Sequence, residues 1–220
     1  MKIIGIYPRK KSLVGLCLSE EFHNDYAIRD KDGYILIDYD YSLEAGLKED
    51  MEISSDDMEE IILESHKKRA KNKALWFISR RSYASGELRK KLLEEFPDFA
   101  VDFAIKRLME LSLINDLEYA RALARNLIEI KGNSPFSASY LMGEKGLDKE
   151  IIRTVLEERE DNPKEIIHSI IEKKYLKDIN SEKGLKRAIN SLLRKGFSYS
   201  DIRSVLRDYK NDEISGDFGD

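Results

Sequence analysis

With Cys17 as the only cysteine in 220 residues, the chain can form no internal disulfide, and its stability must come from packing. Histidine is nearly as scarce. His23, His66 and His168 lie far apart in sequence and no two stand at metal-ligand spacing, which removes the usual zinc patterns. Apolar runs stop at four or five residues, far short of a membrane span. There is no glycine-rich loop to cradle a phosphate, because Gly143-Glu-Lys-Gly146 is too short for one. The acids of residues 40–64 lack the alternating oxygen ligands and turn glycine of a calcium loop. The residues therefore point to no enzyme, and no cofactor or metal is implied. A lone cysteine with no recognisable leader fits a reducing, cytoplasmic compartment.

What the chain does have is charge, unevenly spread. The net charge of −4 conceals an acidic stretch and two basic ones. Residues 40–66 hold 10 acids and 1 base; residues 67–131 hold 15 bases and 9 acids; residues 161–210 hold 12 bases and 7 acids. The last ten residues hold 4 acids and no base. Basic segments behind an acidic approach fit an anionic partner, whereas the near-neutral total alone would not suggest one. The acidic stretch reads as a solvated face or as an internal mimic of DNA lying over a basic surface.

The start of the chain reads as β. Residues 2–7 and 13–18 are short strand-like runs, and residues 26–29 and 34–39 are two further candidates around the Asp30-Lys-Asp-Gly33 turn signal. A helical turn is expected near Leu43. Ser55 is expected to cap a helix whose first turn carries Asp56, Asp57, Glu59 and Glu60, where the helix dipole favours acids. From Ala70 onward the pattern is helical and repetitive. Residues 147–156 and 197–206 align without a gap at a spacing of 50, each after Lys-Gly, and Ile152/Ile202, Arg153/Arg203, Val155/Val205 and Leu156/Leu206 coincide. Residues 96–105 fit the same frame at a spacing of 51, with Glu95 where the glycine falls. Leu88, Leu92 and Leu93, then Val101, Ile105, Leu108 and Met109, mark the apolar stripes of that first pair. Asn115-Asp-Leu-Glu118 and Ser134-Pro135 mark further helix starts.

The fold class expected is mainly α: three tandem three-helix repeats in an elongated curved array, after a small antiparallel β-rich N-terminal region. The segments are a β-rich region with an acidic connector (1–53), a linking helix (54–69), helical repeats (70–115, 116–160 and 161–210) and an acidic, disordered tail (211–220). Repeats of this period bury each stripe against the next unit.

Several sequence pieces occur in a telling order: Arg80-Arg81, Glu87-Leu88 with Leu92-Leu93, residues 108–120, Lys131-Gly132 with Pro135, Lys145-Gly146-Leu147, and Arg194-Lys-Gly-Phe-Ser198. In that order and near this spacing they resemble the RecX family, bacterial regulators of the RecA recombinase. The resemblance covers residues 70–210. It implies a curved, modular helical body in the groove of the RecA–DNA filament, inhibition of RecA ATP hydrolysis and strand exchange, and no catalytic activity. It implies as partners the RecA filament and single- and double-stranded DNA, reached through RecA or directly, with no membrane and a monomeric state. The helix after Pro135 departs from the family pattern, since it carries one base, Lys145, where the family has several.

The candidate contact residues are Arg80, Arg81, Arg89, Lys90, Lys106, Arg107, Arg121, Arg125, Lys131, Arg187, Arg194 and Lys195. Taken singly, each fits an ordinary solvated helix face better than a contact site. As a cluster they invite contact with phosphates or filament acids, because the apolar stripes account for the fold and leave the positive charge unexplained. Trp76, Phe77, Phe99, Phe103 and Tyr119 fit core packing at helical spacing, with base stacking as the other use of such rings. A stand-alone helical DNA-binding protein, such as a helix-turn-helix repressor, is the alternative, although no helix has an evident set of base-reading side chains.

Overall fold

The computed structural model describes residues 1–215, with side chains through residue 209. It divides into two compact units, Met1–Asn115 and Asp116–Asp220.

The first unit opens with strands β1 (Ile3–Arg9), β2 (Leu13–Leu18) and β3 (Ile35–Asp38). They form one antiparallel sheet in the order β1-β2-β3. The register pairs Leu16 with Ile6 on one side and with Ile35 on the other. Alternation places Ile3, Val14, Leu16, Ile35 and Ile37 in the core. The strand expected at residues 26–29 does not form: only an isolated bridge joins Arg29 to Ile35. The Asp30 carboxylate instead accepts from the Asp32 and Tyr34 amides and from Arg9, which winds this segment into a side-chain-held turn around Gly33.

The short helix α1 (Tyr39–Glu44) is capped by Asp38. Helix α2 (Ser55–Ile78) then runs unbroken across the expected border at residue 70. Its cap is Ser54, one residue before the expected one; the Ser54 hydroxyl accepts from the Asp57 amide at 3.0 Å. This helix serves two cores. Met58, Ile61 and Ile62 close the face of the sheet. Ala70 and Ala74 pack with α3 (Ser85–Leu92) and α4 (Asp98–Glu110), around Leu88, Leu92, Val101 and Leu108. The buried stripe of α4 is Ala100, Val101, Ala104 and Leu108, so small residues admit a close neighbour. Leu93 and Met109, expected in the stripes, are among the exposed apolar residues.

The second unit holds α5 (Asp116–Arg125), which ends in a π-helical turn (Asn126–Ile130), then α6 (Pro135–Glu144) and α7 (Lys149–Glu157). Helices α8 (Pro163–Lys174), α9 (Glu182–Arg194) and α10 (Tyr199–Ser215) repeat the arrangement. Buried residues recur at the 50-residue spacing: Ala138 and Ala188, Met142 and Leu192, Leu147 and Phe197, Ile152 and Ile202. Of the expected acidic tail, residues 211–215 continue α10 and residues 216–220 lie outside the described residues.

The change of spacing from 50 to 51 has a structural cause. In the second unit Gly146 and Gly196 are left-handed, with φ of 77° and 82°. The next amide reaches back five residues, Leu147 to Met142 and Phe197 to Leu192. Between α3 and α4, Glu95 is not left-handed, and the Phe96 amide reaches back four residues to Leu92 at 2.9 Å. The first repeat has therefore lost one turn residue rather than exchanged a glycine for Glu95.

Candidate nucleic-acid interface

In the first unit the candidate cations gather where α2 ends. Lys73, Trp76 and Phe77 stand at i, i+3 and i+4 on one face of α2, and Arg80 follows in the turn two residues past its end. The Arg80 guanidinium lies over the Trp76 ring, 4.1 Å from its centroid. Arg81 lies 3.6 Å from the Tyr83 ring centroid. Lys73 and Lys91 each stand 5.6 Å from Phe77. The rings also touch one another edge-on, Trp76 with Phe77 at 5.1 Å and Phe77 with Tyr83 at 5.8 Å. Phe77 and Phe99 are half-buried against the core, as expected of them, and Tyr83 joins them, but Trp76 is 48% exposed and Phe103 39%.

The twelve candidates separate by their partners. Arg81 pairs with Glu87 at 2.7 Å. Arg89 bridges Asp98 and Asp102 at 2.8 and 2.9 Å, and these carboxylates hold it protonated above the usual arginine range. Arg107 pairs with Glu110 along α4, and Arg187 with Asp178. Arg121 is held by both oxygens of Glu158, at 3.0 and 3.1 Å, and by Glu118 at 2.7 Å. That grip raises the Arg121 pKa and lowers that of Glu158. Arg121 and Arg125 were expected to act as one i, i+4 face; the structure sets them apart, because Arg125 is exposed and has no such grip. Among the described residues, Arg80, Lys90, Lys106, Arg125, Lys131, Arg194 and Lys195 have no ion pair with a carboxylate.

In the second unit, Lys131 and Lys195 are brought together across 64 residues: the Lys195 ammonium donates to the Lys131 carbonyl. The joint between the two repeats makes this possible. Ser134 caps α6 by accepting from the Ser137 amide, and its hydroxyl donates to the Gly196 carbonyl at 2.7 Å. Its own amide donates to the Lys195 carbonyl at 2.9 Å. Lys131, Lys173, Lys174 and Lys195 line a groove of about 360 Å³ that Glu129, Asp161 and Glu165 also line. Burial, and then the charge of Lys174, push the Lys195 ammonium below its ordinary range. Lys173 and Lys174 escaped the sequence reading. The signal was present, as two adjacent lysines closing a helix, but only the fold brings them beside Lys131 and Lys195.

The acidic stretch meets the first lysines of α2: Glu44 pairs with Lys68 and Glu64 with Lys67. The partners of Arg81, Arg89 and Arg107 come from outside that stretch. On α6, Phe136 and Tyr140 are 80% and 66% exposed, one turn apart where the bases are missing. Among the described residues no helix is long and apolar enough to cross a membrane, and no group of three potential metal ligands is found.

Comparison with known proteins gives a consistent answer. Residues 70–108 match the family model described as RecX, first three-helix domain. The chain is 30% identical over 167 residues to the regulatory protein RecX of Caldanaerobacter subterraneus subsp. tengcongensis, covering 73% of this chain and 81% of that one. It is 29% identical over 178 residues to the regulatory protein RecX of Geobacillus kaustophilus, covering 79% of this chain. The chain spans 66% of the Geobacillus protein, just under two thirds of its length. A crystal structure of a regulatory protein RecX has the same fold, with a TM-score of 0.60 at 19% identity over 93% of this chain and 98% of that one.

Proposed function

The chain belongs to the RecX family of regulatory proteins, and on that premise we propose that it binds the RecA–DNA filament and restrains RecA. The observation that carries the proposal is the set of cations that have no carboxylate partner among the described residues, Arg80, Lys90, Lys106, Arg125, Lys131, Arg194 and Lys195. No carboxylate among the described residues neutralises their charge. A surface of acids and phosphates would. The paired arginines, Arg81, Arg89, Arg107, Arg121 and Arg187, serve the repeats' own ion pairs first. In the cytoplasm the protein would act by occupancy rather than chemistry, bridging filament protomers and the DNA between them and so slowing ATP turnover and strand exchange during recombinational repair. Occupancy alters turnover only if one state of the filament is bound more tightly than the other.

The test is RecA's DNA-dependent ATPase, titrated with this protein. The expected result is a saturable fall in rate, with a midpoint that moves to higher protein concentration as salt is added. An unchanged rate at saturation ends the proposal. Gel shifts on random-sequence DNA, with and without RecA, separate this reading from a stand-alone DNA-binding protein, which would shift DNA equally well alone.

A further inference from the structure

We propose that the end of α2 is a stacking site for an unpaired nucleobase, with Trp76 and Arg80 as its platform and a single-stranded polynucleotide as its ligand. The proposal rests on the reading of a DNA-contacting regulator only for its setting; its evidence is local.

Trp76 is the one tryptophan of the chain, and it stands 48% exposed on a helix whose opposite face holds Ala70 and Ala74 in the core. An indole is a large apolar surface, and leaving half of it in water forgoes burial that the fold could have used. Arg80 lies over that ring at 4.1 Å and has no carboxylate partner among the described residues, whereas neighbouring Arg81 pairs with Glu87. A planar guanidinium on an indole makes a continuous π-faced surface that carries positive charge. Lys73 reaches the same ring at 5.6 Å while its ammonium is held by Glu95 at 2.6 Å. Lys91 of α3, which has no carboxylate partner among the described residues, stands 5.6 Å from the Phe77 ring beside it. Rings at the centre with unpaired cations beside them are what sequence-tolerant single-strand binding requires: a flat surface for a base and charge for the backbone on either side. A duplex does not fit this chemistry, because its bases already stack on one another. An acidic protein segment would use the cations but has no need of the exposed indole.

The sole tryptophan makes the site its own reporter. Titration of the full-length protein with a short oligo-dT, without RecA, is expected to quench Trp76 fluorescence saturably. A backbone-matched abasic oligonucleotide should bind about tenfold more weakly and leave the emission nearly unchanged. Oligo-rU tests whether the sugar matters to the platform. Trp76→Phe should keep most of the affinity for oligo-dT, and Trp76→Ala and Arg80→Gln should each lose about tenfold, read by anisotropy of a labelled oligonucleotide, with far-UV circular dichroism unchanged. Equal binding of the abasic and dT strands would overturn the stacking site, as would binding that is indifferent to Trp76→Ala. So would quenching by an acidic peptide but not by dT, which would reassign the patch to a protein partner. Because RecA is absent, failure here leaves the regulatory reading standing, and a silent ATPase titration would leave this site standing.

Discussion

Gly196→Ala tests whether the joint between the last two repeats is locked as tightly as its geometry implies. Gly196 has φ +82°, a conformation that costs an alanine about 1–2 kcal/mol. The added methyl would also stand 2.7 Å from the Ser137 Cβ and 2.9 Å from the Ser134 hydroxyl oxygen, well inside ordinary contact. Neither atom is the loose end of a long side chain. Ser134 is fixed from both sides, by the amide it caps and by the Gly196 carbonyl. Relief requires the start of α6 to move away from the α9–α10 turn, an overpacking cost of about 1–3 kcal/mol. The sum is roughly 2–5 kcal/mol, a sizeable share of a domain's stability. In urea, followed by far-UV circular dichroism, the midpoint should fall by roughly 1–2 M. Gly46→Ala supplies the control. Its φ is +64° and its methyl would meet nothing within 4 Å, so it should show the conformational cost alone. Adding Ser137→Gly to Gly196→Ala should recover part of the loss by removing the atom the methyl strikes. If Gly196→Ala and Gly46→Ala lower stability equally, the joint is soft and the placement of Lys195 beside Lys131 is not imposed by it.

Three further outcomes are expected. Arg125→Gln should reduce the slope of log affinity against log salt for the filament or DNA by about 0.7–0.9, the share of one phosphate contact, measured by anisotropy. Arg121→Gln should leave that slope nearly unchanged but raise the Glu158 carboxyl pKa, visible by NMR, because Glu158 loses the hydrogen bonds that depress it. His66 is 5% exposed, and burial lowers its pKa from the ordinary 6.5 while its Nε2 donates to the Tyr26 carbonyl at 2.8 Å. The unfolded chain therefore binds the proton more readily. Stability contributed by neutral His66 is present above pH 6.5 and is lost as pH falls through the lower folded value. His66→Gln, which keeps a donor for Tyr26, should flatten the urea midpoint between pH 7 and 5; an unchanged slope would place the titrating group elsewhere.

Periodicity made the helical body legible, because glycines that must be left-handed and apolar residues that must be buried recur in step. The Lys-Gly dipeptides at 145–146 and 195–196 do end helices in that conformation, and the aligned pairs Ile152/Ile202 and Val155/Val205 are buried together. The same periodicity misled at Leu93 and Met109. A stripe drawn through large residues overlooked Ala100 and Ala104, whose small side chains let α2 approach α4. It misled again at residues 26–29, where Asp-Gly signalled a hairpin and the Asp30 carboxylate spent its bonds on a local turn.

Charge was the least legible feature, and for a physical reason. A lysine or arginine has the same letter whether a carboxylate already holds it or not, and the partner is often remote in sequence. Glu158 lies 37 residues from Arg121, and Lys131 lies 64 from Lys195. Exposure and pairing together sort the twelve candidates, and the sorting changes the mechanism to be tested. Arg121 would have to abandon two carboxylates before it could meet a phosphate, an exchange of one ion pair for another that returns little. Arg125, four residues on, has no carboxylate to abandon among the described residues. Contact with the filament should therefore be carried by the cations that the fold leaves over, and a salt titration that responds to Arg121 as strongly as to Arg125 would show that folding and binding share their charges after all.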